Sequence, residues 1–261
     1  MDVMKEATME TMRVFETWRA RLARMAHRTT AALALAGMAV ALGGAVLAGP
    51  AAAQAVVTEE RSVAGITELE LSGIGTLTLI QGETESLLIT ADEAILPQLT
   101  SEVTNGRLVI DAQGSFSTDG PVTYELTVRN LSAILLDGSV AVEGEAFAAE
   151  LLTLVLDGSS AMTIGDLTAG TLGVAIDGAA EVALAGTAEF QNVELDGTAT
   201  YLAEGLASRQ VAIAAGGASG AILQVSELLL AEVEGSATVE YRGDPTGEAA
   251  VTGAGTLQQI V

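Results

Sequence analysis

An acidic residue, a glycine and a small residue recur five times between residues 137 and 236, each time behind a short alternating apolar run. They are Asp137-Gly138-Ser139, Asp157-Gly158-Ser159, Asp177-Gly178-Ala179, Asp196-Gly197-Thr198 and Glu234-Gly235-Ser236. The first four acids are spaced by 20, 20 and 19 residues, and 38 residues, two further periods, separate Asp196 from Glu234. A fixed period of this length predicts a solenoid: one repeat is one coil, which buries its apolar face only against its neighbours.

Apolar residues alternate on both sides of each glycine. Leu154 and Leu156 precede Gly158, for example, and Met162 and Ile164 follow it. Period two marks strands with one buried face, so each coil holds at least two short strands meeting at the acid-Gly corner. Asp-Gly usually reads as an antiparallel hairpin. Here the strict register favours an all-β, single-stranded parallel β-helix with coils of about 20 residues over an antiparallel sandwich. Glycine reaches positive φ without a Cβ clash, and Asp accepts hydrogen bonds from the amides ahead of it. The structural corners are therefore Gly138, Gly158, Gly178, Gly197, Gly235 and Gly253, with Gly144, Gly165, Gly186 and Gly205 punctuating further corners.

Two repeats are degenerate. One, around residues 211–220, has an ambiguous register, and the other closes the chain at residues 251–257. Leu69-Glu70-Leu71-Ser72-Gly73 reads as an early copy with Ser-Gly in place of Asp-Gly. Residues 83–130 break the period. Leu87–Thr90, Arg107–Asp111 and Val122–Val128 read as strands, Asp92–Leu99 as a short helical or irregular excursion, and Gly114–Pro121 as a polar loop. This irregular first half (about 66–130) is either the same solenoid with insertions or an abutting β layer. The regular repeats fill about 131–261.

Residues 1–55 read as a signal peptide behind a long lead. Arg19, Arg21, Arg24 and Arg28 precede an apolar stretch from Ala31 to Leu47, then Pro50 and the small-x-small triplet Ala53-Gln54-Ala55. That order predicts export and cleavage after Ala55. The alternative is an uncleaved membrane anchor, since the stretch approaches spanning length. Met1 and Met25 are both candidate starts.

Beyond the leader, residues 56–261 hold no His, Cys or Lys, and five Arg against 30 Asp and Glu, a net charge of −25. Such a surface repels nucleic acid and anionic lipid, and membrane contact is expected only through an uncleaved leader. A Cys or Lys nucleophile, a Ser-His-Asp triad and a His-ligated zinc site are all excluded from residues 56–261.

The motifs Leu69-Glu70-Leu71-Ser72-Gly73-Ile74-Gly75, Ile80-Gln81-Gly82, Leu87-Leu88-Ile89-Thr90-Ala91-Asp92, Asn105-Gly106-Arg107-Leu108 and Tyr241-Arg242-Gly243-Asp244-Pro245 accompany the recurring corners. As a set they resemble the auto-transporter adhesin head GIN domain family over about Ile66 to Val261. The resemblance implies an exported bacterial β-helix (periplasmic, on the outer surface or secreted) with an adhesin-like role. Asp stands where the family commonly has Ser at several corners.

Three functional classes follow. The first is a non-enzymatic surface or periplasmic module that binds a glycan or a cell-surface protein. The second is an exported polysaccharide-active enzyme working through carboxylates alone, for which the sequence singles out no catalytic residue. The third is a calcium-binding structural module. In-register stacking would put Asp137, Asp157, Asp177 and Asp196 in a column, with neighbouring carboxylates about 5 Å apart repelling by roughly 1 kcal/mol in water. Corner amides, salt or a cation would relieve that repulsion, and calcium suits such oxygen ligands. The Asp side chains are read first as turn caps, with no cofactor required. Solenoid ends expose strand edges, so homo-oligomers through the ends are a further expectation.

Overall fold

The computed structural model describes residues 55–114 and 120–261. The leader, and the centre of the polar loop with Phe116, lie outside the described residues. Fourteen strands are described: β1 (Val56–Arg61), β2 (Glu68–Gln81), β3 (Ser86–Asp92), β4 (Leu99–Thr104), β5 (Arg107–Ala112), β6 (Thr123–Val128), β7 (Ala133–Gly158), β8 (Ala161–Ile176), β9 (Glu181–Leu195), β10 (Thr200–Ala215), β11 (Gly220–Val233), β12 (Thr238–Arg242), β13 (Thr246–Val251) and β14 (Thr256–Gln259). The excursion after β3 contains one turn of 3-10 helix, Leu96–Gln98.

β2 and β7–β14 form a single-stranded parallel β-solenoid. β2 pairs β7 in unbroken register from Glu68↔Ala133 to Leu79↔Gly144, and β8, β9, β10 and β11 follow in parallel. The alternation in the sequence becomes two facing sets of inward columns. One runs Leu77, Val142, Met162, Val182, Tyr201, Ala221, Val239, and the other Leu154, Val174, Val193, Ile213, Ala231. All are buried. Stacked Leu, Ile and Val side chains leave water together, at about 1.5–3 kcal/mol for each fully buried one, which makes neighbouring coils mutually dependent.

The irregular first half combines both expected arrangements. β5 and β6 form one coil, interrupted by the polar loop, that pairs in parallel with the two halves of β2. That coil follows β2 in sequence yet lies on the opposite side of it from β7. β3, β1 and β4 then add antiparallel strands, β3 on β6, β1 on β3 and β4 on β5. The expectation that Gly144, Gly165, Gly186 and Gly205 mark a repeating corner is corrected. Gly144 stands in register with Ile164, and Gly186 with Leu167 and Leu206, so these four glycines share no column.

A polar group also enters the interior. Gln191 occupies an inward position between Leu172 and Val211. Its Oε1 accepts a hydrogen bond from Tyr201 Oη at 2.6 Å, and its Nε2 donates to Ser208 Oγ at 2.5 Å. Ser208 Oγ donates onward to the Leu206 carbonyl at 3.2 Å. The Gln191 and Tyr201 side chains are thereby satisfied, which a buried polar group requires.

Candidate functional site

The acid-Gly corners stack as the period predicts, and the column is longer than the sequence showed. Gly73, Gly138, Gly158, Gly178, Gly197, Gly217, Gly235 and Gly253 all have positive φ, between 66° and 116°. Each rests on the one before it. A Cβ built on Gly158, Gly178, Gly197, Gly217, Gly235 or Gly253 would fall 2.5–2.9 Å from the carbonyl oxygen of the preceding glycine. That oxygen is also a hydrogen-bond acceptor between coils. The Gly138 carbonyl accepts from the Ser159 amide at 2.8 Å, Gly158 from Ala179 at 2.8 Å, and Gly178 from Thr198 at 2.8 Å. Backbone conformation and inter-coil contact therefore demand glycine independently at the same position.

Gly217 is the corner of the degenerate repeat at residues 211–220, whose register the sequence leaves ambiguous because no acid precedes this glycine. Its signal was present as Gly216-Gly217-Ala218, a Gly-small pair 20 residues after Gly197. Gly216 also interrupts the acidic column. Asp137, Asp157, Asp177 and Asp196 occupy four consecutive coils, Gly216 the fifth and Glu234 the sixth. At the other end Ser72 pairs with Asp137, and Asp111 follows Ile110, the partner of Leu71.

The four Asp side chains are exposed at the solenoid edge. Asp196 Oδ1 accepts from the amide of Gly197 at 2.7 Å, the capping contact that the corner geometry offers. Asp137 is less comfortable. Partial burial, then the charges of Asp157 and Asp111, hold its carboxyl above the ordinary Asp value. Among the described residues no group of three or more acidic side chains converges in a way that could hold a metal ion. What the column offers chemically is a strip of negative charge on a rigid backbone.

Three of the five described arginines sit in ion pairs across coils. Arg209 bridges Glu189 at 2.6 Å and Glu227 at 2.9 Å, Arg107 bridges Glu68 at 2.7 Å and Glu70 at 3.1 Å, and Arg242 meets Glu204 at 2.7 Å. Of the aromatic residues, Tyr124, Phe147 and Tyr201 are buried, which removes them as stacking platforms for a sugar ring.

A second candidate lies beside the first coils. An open depression of ≈ 690 Å³ is lined by Thr78, Ile80, Gln81, Glu143, Glu145 and Thr163, among others. Ile80 is 40% exposed there. Gln81 holds the wall together: its Nε2 donates to the carbonyls of Arg129 and Ala148, and its Oε1 accepts from the Ala148 amide at 2.8 Å. Thr78, Glu143 and Thr163 form a row in register across β2, β7 and β8.

Comparison with known proteins bears on family and fold. Residues 65–245 match the model of a family described as "Putative auto-transporter adhesin, head GIN domain". Comparison with curated proteins gives no match. Among solved structures, a "putative adhesin" from Bacteroides fragilis superposes with a TM-score of 0.76 at 22% identity, covering 78% of this chain and 97% of its own. A "putative lipid binding protein" from Parabacteroides distasonis gives 0.63 at 16% identity, covering 79% and 97%. A "putative adhesin" from Parabacteroides merdae gives 0.62 at 18%, covering 79% and 96%. At these identities the likeness is one of fold.

Proposed function

The chain belongs to the auto-transporter adhesin head GIN domain family, and from that premise we propose that it is an exported, non-enzymatic binding module of a bacterial surface or periplasm. Its ligand in this reading is a glycan or a cell-surface protein. The observation that carries it is the open depression beside β2, β7 and β8. Thr78, Glu143 and Thr163 repeat there at the spacing of adjacent strands, about 4.8 Å. Such a row offers acceptors and hydroxyls to a polar ligand lying along the solenoid, and Ile80 offers an apolar patch. An open wall that sets a row of polar side chains on a largely apolar floor suits recognition through hydrogen bonds and apolar contact without a closed reaction chamber.

The test is binding of the purified protein to a glycan panel and to whole bacterial cells, with and without calcium. Saturable binding that Glu143→Ala and Glu145→Ala weaken supports the proposal. Binding insensitive to both moves the site elsewhere. Turnover of any polysaccharide replaces this reading with the enzymatic one.

A further inference from the structure

Each coil covers the strand edge of its neighbour, and two ends remain. At the N-terminal end of the described residues the outermost strands are β1, paired only with β3, and β4, paired only with β5. Their edges carry charge: Glu59, Glu60 and Arg61 on β1, Glu102 on β4. Charged edge residues are the usual guard against strand addition.

The other end is built differently. Among the described residues β13 pairs only with β11 and β14 only with β12. Residues 246–261 contain one charged side chain, Glu248, and no proline, whereas the stretch just before them holds Glu227, Glu232, Glu234, Glu240, Arg242 and Asp244. Among the described residues this coil also leaves apolar side chains uncovered. Val251 is 45% exposed although its register partner Val233 is fully buried, and half-buried Leu257 stands over fully buried Val239.

The ladder shows which backbone groups are unused. The amides of Thr252, Thr256 and Ile260 donate inward, to the carbonyls of Val233, Ala237 and Tyr241 at 2.8, 2.9 and 2.8 Å. Alternation along the strands then aims the amides and carbonyls of Ala249 and Val251 on β13, and of Leu257 and Gln259 on β14, away from the preceding coil. These are hydrogen-bonding groups beside exposed apolar side chains on a nearly uncharged edge.

We propose that this terminal coil is a self-association edge, at which a second copy of the chain pairs antiparallel with β13 and β14 about a two-fold axis. Two copies of residues 56–261, each of net charge −25, repel over most of their surface, and this coil is where they meet with least charge opposed. A head-to-tail contact would set the edge against the charged N-terminal strands and propagate into filaments. An isologous contact closes as a dimer. The inference is independent of the ligand-binding role proposed above.

Residues 56–261 form a compact unit with its own core and are the form to test. Light scattering and sedimentation from low micromolar to millimolar concentration are expected to show a dimer. Ala249→Pro removes only an outward amide, and Leu257→Lys sets a charge on the edge. Each is expected to weaken dimerisation at least tenfold, while Val57→Lys on β1 leaves it unchanged. Hydrogen exchange on the unmodified chain gives a measurement free of folding defects: the amides of Ala249, Val251, Leu257 and Gln259 gain protection as concentration rises. A monomer throughout, open-ended polymers, dimerisation lost in Val57→Lys but kept in Ala249→Pro, or no gain in protection would each overturn the proposal.

Discussion

Gly178 lies directly over Gly158: a Cβ on Gly178 would stand 2.6 Å from the Gly158 carbonyl oxygen, which already accepts the Ala179 amide. Gly178 also has φ +98°, a conformation that side chains disfavour. Gly178→Ala is therefore expected to destabilise the protein by about 2–4 kcal/mol, combining backbone strain with a rigid backbone contact. Gly220 has nothing within 4 Å of a built Cβ. Gly220→Ala is expected to change stability by less than about 1 kcal/mol, in the stabilising direction. Urea unfolding of the two variants side by side checks this, and equal effects would remove the stacking argument.

Asp137 bears the electrostatic cost of the column. Burial and the charges of Asp157 and Asp111 raise its pKa in the fold, so the folded chain holds this proton at pH values where the unfolded chain has released it. Ionised Asp137 thus opposes folding at neutral pH, and the penalty disappears once pH falls below the ordinary Asp value near 4. Asp137→Asn is expected to raise stability at pH 7 by up to about 1 kcal/mol at low salt. The gain should shrink both in acid and in high salt. A loss of stability at every pH would instead mark the carboxylate as an essential cap.

How far the sequence revealed this arrangement depends on whether a feature is local. The period, the corners and the inward columns are local, since each coil repeats the same alternation, and Asp-Gly announces its own backbone geometry. The hairpin of β4 and β5 was equally local. Asn105 and Gly106 have φ of 52° and 83°, the left-handed pair a two-residue hairpin needs, and the Asn-Gly dipeptide could have identified it. The position of β5 and β6 beside β2 was not legible, because that pairing depends on contacts across some forty residues. Gly186 misled because it is conformationally a corner, with φ +121°, but follows a one-residue irregularity that sets it over Leu167. The 690 Å³ depression also had no sequence signal: Thr78, Glu143 and Thr163 are distant in the chain and meet only through register.

The corner acids give a test of capping against cation binding. Asp196 already accepts the Gly197 amide at 2.7 Å. Capping of this kind predicts that calcium raises the melting temperature no more than sodium chloride of equal ionic strength, because both act by screening. It also predicts that Asp196→Ala loses about 0.5–1.5 kcal/mol, while Asp196→Asn keeps most of the bond. A calcium-specific rise in melting temperature that Asp157→Asn or Asp177→Asn abolishes would establish the ladder as a binding site.

The buried Tyr201–Gln191 hydrogen bond couples stability to alkaline pH. Burial pushes the Tyr201 phenol far above its ordinary value, and the Tyr124 phenol up to about 12. Both must stay neutral in the fold, whereas the unfolded chain ionises them near pH 10. Stability is therefore intact below pH 10 and falls as pH rises beyond it. Tyr201→Phe removes one of these groups but leaves Gln191 Oε1 without its donor, at a cost of about 1–3 kcal/mol at neutral pH. Measured by urea unfolding across pH, the wild-type and Tyr201→Phe stabilities are expected to differ most near pH 7 and to converge above pH 10. Parallel curves would mean that Tyr201 gains access to water at high pH and that the network does not close this part of the core.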